Sequence, residues 1–190
     1  MEKIRIGFAI TGSFCTFQRA LNQMEYFISN GAEVLPIMSF NAYGIDTRFG
    51  DASYFIEKIE SLTGNKVIST IKDAEPIGPK NLVDVMVVLP CTGNTLAKLA
   101  LGIYDTPVTL AVKSHIRNQK SVVIGVSTND ALSNTAKNIG ALLNYKYYYF
   151  IPMRQDDMMK KPFSVVCDFE RAYETVQLAL SGKQIEPIIF

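Results

Sequence analysis

The sequence predicts an α/β protein built on a doubly wound parallel sheet of about six strands, ordered 3-2-1-4-5-6, with helices on both faces. Three observations carry that reading. Short β-branched, apolar runs alternate along the chain with segments whose apolar residues recur at helical spacing. One run, Val83–Leu89, is almost continuously apolar, as a strand buried on both faces of a parallel sheet must be. Directly after it, Pro90-Cys91-Thr92-Gly93-Asn94-Thr95 gathers small hydroxyl and amide side chains before a helix, at the carboxyl end of a strand, where open α/β sheets bind ligands.

The first strand is read at Ile4–Ile10. Thr11-Gly12-Ser13 then turns into a helix whose Phe17, Leu21, Met24 and Ile28 share one face, closed by Asn30-Gly31. Hydroxyls and free amides make this turn a candidate phosphate site, although an ordinary strand-to-helix turn has the same composition. It carries neither a Gly-x-Gly-x-x-Gly fingerprint nor a Walker lysine, so a nicotinamide dinucleotide or ATP is not indicated. Ala32–Met38 is the second strand, with Ser39 just past its end on the same rim. Asn41–Gly50 reads as a polar loop, Asp51–Leu62 as a helix stopped by Thr63-Gly64, and Lys66–Thr70 as a third strand. After the fourth strand, Val83–Leu89, Pro90 has no amide hydrogen and should end the ladder. Leu96, Leu99, Ala100 and Ile103 follow at helical spacing, and Thr106-Pro107 opens another helix. Ser121–Val126 is the fifth strand, Ser127–Asp130 caps a helix over Ala131–Asn144, and Tyr147–Ile151 is the sixth strand. Pro152–Ser164 reads as a charged loop, Val165–Leu180 as a final helix ending at Gly182. The apolar tail Ile185–Phe190 must dock on its own domain or on a neighbouring subunit.

A chain of 190 residues with 48% hydrophobic content fits one globular domain spanning 1–190. A net charge of +1 argues against a nucleic-acid binder. Cys15, Cys91 and Cys167 are odd in number and far apart, which suggests reduced thiols and neither a disulfide framework nor a metal site. The single histidine, His115, sits among apolar helix residues and reads as structural. The amino terminus lacks a signal-type apolar core and no run reaches membrane length, so a soluble, cytoplasmic protein is expected.

The strand, the Pro-Cys-Thr-Gly-Asn-Thr loop and the following Leu-Ala-Lys-Leu-Ala-Leu-Gly helix resemble the signature of the homo-oligomeric flavin-containing decarboxylase family, usually Pro-Ala-Ser-Ala-Asn-Thr before an Ala/Lys/Gly-rich helix. The resemblance implies a Rossmann-like or flavodoxin-like winding and FMN as cofactor. Its phosphate would lie against Thr11, Gly12, Ser13 and Ser39, and its isoalloxazine against Pro90, Cys91, Thr92, Gly93, Asn94 and Thr95. Asn94, whose amide both donates and accepts, is the expected catalytic residue. Family decarboxylases carry an active-site histidine in the region of residues 41–62, and none is present here. They also carry a Pro-x-Met-Asn-x-x-Met-Trp clamp, of which this chain keeps Pro152 and Met153 and lacks the Asn and Trp.

Ile10-Thr-Gly-Ser13, Gln155-Asp-Asp157 and Lys161-Pro-Phe-Ser164 resemble a branch of that family that serves as the B chain of a two-chain oxidoreductase. That enzyme oxidises a dihydro precursor to a pyridine dicarboxylate in the mother cell of sporulating bacteria. The likeness implies a partner A chain with NADPH or NADP, a small dicarboxylate substrate, and a homo-oligomer, trimer or dodecamer. Arg154, Gln155, Lys161 and Ser164 are then the expected substrate-binding residues. An FMN-dependent decarboxylase, a flavin prenyltransferase and a structural partner that has lost flavin remain alternatives.

Overall fold

The computed structural model describes residues 3–190; Met1 and Glu2, the first two residues of the expected domain, lie outside them. At the centre, β1 (Arg5–Ile10) pairs in parallel with β2 (Glu33–Met38) on one side and β3 (Val85–Cys91) on the other. Beyond β3, β4 (Val122–Thr128) and β5 (Tyr148–Phe150) continue the parallel arrangement. Every residue of β3 is buried, as its continuous apolar run requires. The helices are α1 (Phe17–Ser29), α2 (Phe40–Gly44), α3 (Ala52–Thr63), α4 (Ile71–Ala74), α5 (Gly93–Leu101), α6 (Pro107–Ile116), α7 (Ala136–Leu143) and α8 (Ala172–Leu180). They cover both faces of the sheet, giving the expected doubly wound, flavodoxin-like class. Thr106 and Thr109 cap each other's backbone at the start of α6, with Pro107 in the first turn, and Gly64 ends α3 in the left-handed conformation.

Several segments depart from the sequence reading, each for a visible reason. The ladder does not stop at Pro90: Cys91 still pairs with Val126 after a register shift, and an irregularity is where a strand tolerates a residue without an amide hydrogen. The expected strand at Lys66–Thr70 shrinks to one bridge, in which Ile68 donates to the Pro36 carbonyl and accepts from the Met38 amide, both at 2.9 Å. The loop at Asn41–Gly50 begins inside α2. The helix expected from Ala131 starts only at Ala136, because the Asp130 carboxylate accepts the hydroxyls of Thr128 and Thr135 at 2.7 Å and holds the chain in turns.

The largest departure is at Pro152–Ser164, which is no loop. Met153–Asp157 (β6) and Lys161–Cys167 (β7) form an antiparallel hairpin, and β7 pairs antiparallel with the end of β4 through Ser127↔Val166. The Asp157 carboxylate accepts the amides of Met159 and Lys160, which closes the turn. Val165–Cys167 is therefore strand, and the last helix begins at Ala172. The carboxyl-terminal tail runs beside the hairpin, with the Met153 amide donating to the Ile188 carbonyl at 2.7 Å and Ile185 buried. Among the described residues, no helix is long and apolar enough to cross a membrane.

His115 lies at the end of α6, 1% exposed, with Nε2 3.0 Å from the Ser121 carbonyl. Burial first, and the nearby Lys120 cation, push its pKa down to about 4, against the opposing pull of the Ser121 carbonyl and Asp84. The folded protein thus keeps a neutral imidazole where the unfolded chain, titrating near 6.5, takes up a proton. Stability from this site is complete above pH 6.5 and is lost as pH falls through about 4. The full loss is about 3 kcal/mol at 1.36 kcal/mol per pKa unit. Denaturant titrations between pH 7 and 4 should show a shallower pH slope for His115→Gln than for the native chain. Parallel slopes would contradict the assignment.

Candidate functional site

Side-chain hydroxyls lace together the carboxyl ends of β1, β3 and β4. Thr11 donates its amide at 3.2 Å and its hydroxyl at 2.8 Å to the Pro90 carbonyl, while its Oγ1 accepts the Thr92 amide at 3.0 Å. Ser13 and Ser127 share a hydroxyl–hydroxyl bond of 2.9 Å. These strand ends flank the reversal of winding between β1 and β3, so the lacing fixes the two expected ligand loops relative to each other.

Between those loops and the β6–β7 hairpin lies a cavity of about 820 Å³. That volume falls within the range of roughly 300–1,000 Å³ typical of cofactor and small-molecule sites. Its floor is Gly12–Thr16 and Thr92–Asn94; its walls are Ser127–Asp130 and Ser164–Val166, with Arg19, Phe49, Asp156 and Lys161 at the sides. Neither Thr92 before α5 nor Ser13 and Thr16 before α1 gives its side chain as a helix cap. The amides of Gly12, Phe14 and Cys15, and those of Gly93 and Asn94, have no acceptor among the described residues. Two sets of unspent donors therefore face one cavity, which is a chemical fit to a ligand with an anionic group and a polar ring edge.

Gly93 is imposed by packing. A Cβ there would sit 2.6 Å from Asp130 Oδ1, 2.8 Å from Thr135 Oγ1 and 2.9 Å from Thr128 Oγ1. At Gly12, in contrast, a Cβ would make only ordinary van der Waals contacts, with Asn41 and Phe14 at 3.6 Å, so packing does not impose glycine there. Burial tends to raise the Asp130 pKa, but the Thr128 and Thr135 hydroxyls outweigh it and hold the group below the usual carboxylate range. Lys161 donates to Asp156 at 2.7 Å, and this bond raises its pKa above the ordinary lysine value. The Asp130 anion and the Lys161–Asp156 ion pair thus sit in the cavity beside the Arg19 guanidinium.

Of the residues expected from sequence, Gly12, Ser13, Thr92, Gly93, Asn94, Lys161 and Ser164 line this cavity. Thr11, Pro90, Cys91 and Thr95 are buried behind its floor, where they shape the loop. Burial, reinforced by neighbouring Cys167, pushes the Cys91 thiol up and keeps it protonated. Ser39 accepts the Ala42 amide at 3.2 Å, capping α2, and does not line the cavity. Arg154 and Gln155 face away, into a second, mainly apolar groove of about 880 Å³ between α7, β6 and the tail. There the Arg154 guanidinium sits 5.7 Å from the Phe190 ring centre, and Gln155 Nε2 donates to the Pro162 carbonyl at 2.8 Å. Sequence reasoning missed Arg19, Phe49, Ser127–Asp130 as cavity wall, and Asp156. For Ser127–Asp130 a signal existed, since it follows a strand end beside the switch point. Arg19 and Phe49 carried none. Among the described residues, no group of three or more His, Cys, Asp or Glu side chains could hold a metal ion.

Comparison with known proteins places this geometry in a family. The B subunit of dipicolinate synthase from Bacillus subtilis is 45% identical over 185 residues, covering 97% of this chain and 92% of that protein. The crystal structure of the dipicolinate synthase B subunit from Bacillus halodurans superposes with a TM-score of 0.90 at 41% identity, covering 100% of this chain and 98% of the other. An FMN-dependent cysteine decarboxylase shares the fold at a TM-score of 0.69 and 22% identity, over 94% and 97% of the two chains. The flavoprotein family profile matches residues 1–176, and the chain belongs to the flavoprotein family.

Proposed function

We propose that this chain is the B subunit of a dipicolinate synthase, holding FMN in the cavity at the β1, β3 and β4 ends. With the A subunit, it oxidises a dihydrodipicolinate-type precursor to pyridine-2,6-dicarboxylate in the mother-cell cytoplasm of a sporulating bacterium. The observation that carries the reading is the full-length likeness to B subunits of dipicolinate synthase, in a chain whose unspent amides converge on one cavity of cofactor size.

The amides of Gly12, Phe14 and Cys15, with the Ser13 hydroxyl, suit the FMN phosphate; Thr92, Gly93 and Asn94 suit the isoalloxazine edge. Ser39 serves indirectly, by fixing α2 beside the turn. Bound FMN supplies a two-electron acceptor at this place. Aromatising the precursor removes a hydride and a proton from its ring; the proton leaves to solvent, and oxidised NADP on the A subunit would take the electron pair on to the cell's pool as NADPH. Asn94 orients the substrate or flavin edge, Lys161 and Ser164 draw in a carboxylate, and the laced loops hold these groups in register. A homo-oligomer, trimer or dodecamer, is the expected assembly. His115 is buried against Ser121 and no histidine lines the cavity, which favours oxidation over histidine-assisted decarboxylation.

Asn94→Leu keeps the volume and removes both hydrogen-bonding capacities. In the reconstituted two-chain enzyme it should lower dipicolinate formation about 10- to 100-fold, the equivalent of one or two hydrogen bonds to charged or developing charge. Normal turnover would show that the loop is not the active site.

A further inference from the structure

We infer that Arg19, and not Arg154, is the guanidinium that reads a carboxylate of the substrate. This deepens the proposed function and rests on the reading of the cavity as a site for an aromatic dicarboxylate.

Three observations support Arg19. It lines the cavity, whereas Arg154 opens into the separate groove against Phe190. Its guanidinium carbon lies 4.4 Å from the centre of the Phe169 ring, and that ring is fully buried, so the charged plane is held by a rigid platform just past β7. The only ion pair it makes among the described residues is a long one, Nη2 to Glu170 Oε2 at 3.4 Å, and its other donors have no hydrogen-bond acceptor among those residues. The Arg19 and Glu170 side chains are 45% and 70% exposed, so this pair is weak and an incoming carboxylate competes with it easily. The neighbouring Asp168 carboxyl, with the local backbone, holds the Glu170 pKa below the usual carboxylate range, and at 3.4 Å Glu170 orients the guanidinium without saturating it.

The arrangement also divides labour along β7. Lys161, at the start of the strand, is already bound to Asp156 and can offer only a shared charge. Arg19, set against the residues that follow the strand, offers a planar fork with unspent donors, the geometry that fits a carboxylate through two parallel bonds. Ser164, 5% exposed, lies on the strand between them and lines the same wall.

The test uses the FMN-loaded full-length chain and two probes, pyridine-2,6-dicarboxylate and the monoacid pyridine-2-carboxylate, with binding followed by calorimetry. Arg19→Met should weaken the diacid about 10- to 100-fold and the monoacid much less, while FMN affinity stays unchanged. Arg19→Lys should recover part of the loss, since it returns the charge without the fork. Arg154→Met should change neither probe. Unchanged diacid affinity in Arg19→Met, with the native chain binding normally, would overturn the assignment of Arg19 alone. A drop in FMN affinity for Arg19→Met would also overturn it, by moving the residue to the cofactor phosphate. A native chain that binds FMN but neither acid would instead overturn the dicarboxylate reading of the cavity.

Discussion

Ser13→Asp is expected to abolish FMN binding while leaving the fold intact. Ser13 ends the β1 turn, lines the cavity and hydrogen-bonds Ser127 across it at 2.9 Å. An aspartate is at least as good as serine at a helix entry, so the turn itself loses little. The added carboxylate, however, faces a phosphate: two unit charges 4 Å apart repel by about 4 kcal/mol at an effective dielectric constant of 20. With the phosphate carrying more than one charge, a loss of at least about 100-fold follows, since each 1.36 kcal/mol is tenfold. Ser13→Ala removes one hydrogen bond and should cost about tenfold or less. Equilibrium titration with FMN, followed by quenching of flavin fluorescence, separates the cases. Equal effects of Asp and Ala would mean that no anion sits beside residue 13.

Gly93→Ala is the second large effect, and it acts through packing. The new methyl would overlap the Asp130 carboxylate and the Thr128 and Thr135 hydroxyls, all within 3 Å. Asp130 accepts both hydroxyls at 2.7 Å, so none of the three can retreat without breaking the network that fixes residues 128–135. Overpacking of this kind costs about 1–3 kcal/mol in stability, and it displaces the first turn of α5, whose amides face the cavity. Lower thermal stability together with weakened FMN binding is the expected result. Asp130→Ala should restore room for the methyl, so the double variant Gly93→Ala/Asp130→Ala should be less destabilised than the two single changes added together. Strict additivity of the two would contradict this account.

The parallel core was legible because its strands are buried on both faces: continuous runs such as Val85–Val88 and Val122–Val126 admit few other readings. The antiparallel hairpin was not. In Met153-Arg-Gln-Asp-Asp157 only Met153 is buried, while Arg154 and Asp156 are exposed and Gln155 and Asp157 half-buried, so the segment resembles a solvated loop in sequence. Val165–Cys167 has apolar residues that extend the periodicity of α8, so the strand was absorbed into the helix. At the site, the two turns that follow β1 and β3 could be recognised from small residues beside strand ends. The departures have a common cause, competition for the same donors and acceptors: Ser39 spends its hydroxyl on the Ala42 amide, and Asp130 spends its carboxylate on Thr128 and Thr135. Arg19 and Arg154 look equivalent as isolated cations. What separates them is the cavity each one lines and the ring each one meets, Phe169 for Arg19 and Phe190 for Arg154.

The central claim is that the cavity holds FMN through its phosphate at the amides of Gly12, Phe14 and Cys15. It is tested most directly by titrating the native chain in parallel with FMN and with riboflavin, which lacks the phosphate. The account predicts saturable FMN binding and riboflavin binding weaker by about 10- to 100-fold, the worth of charge-assisted hydrogen bonds to the phosphate. Equal affinity for the two flavins, or binding of neither, would contradict it.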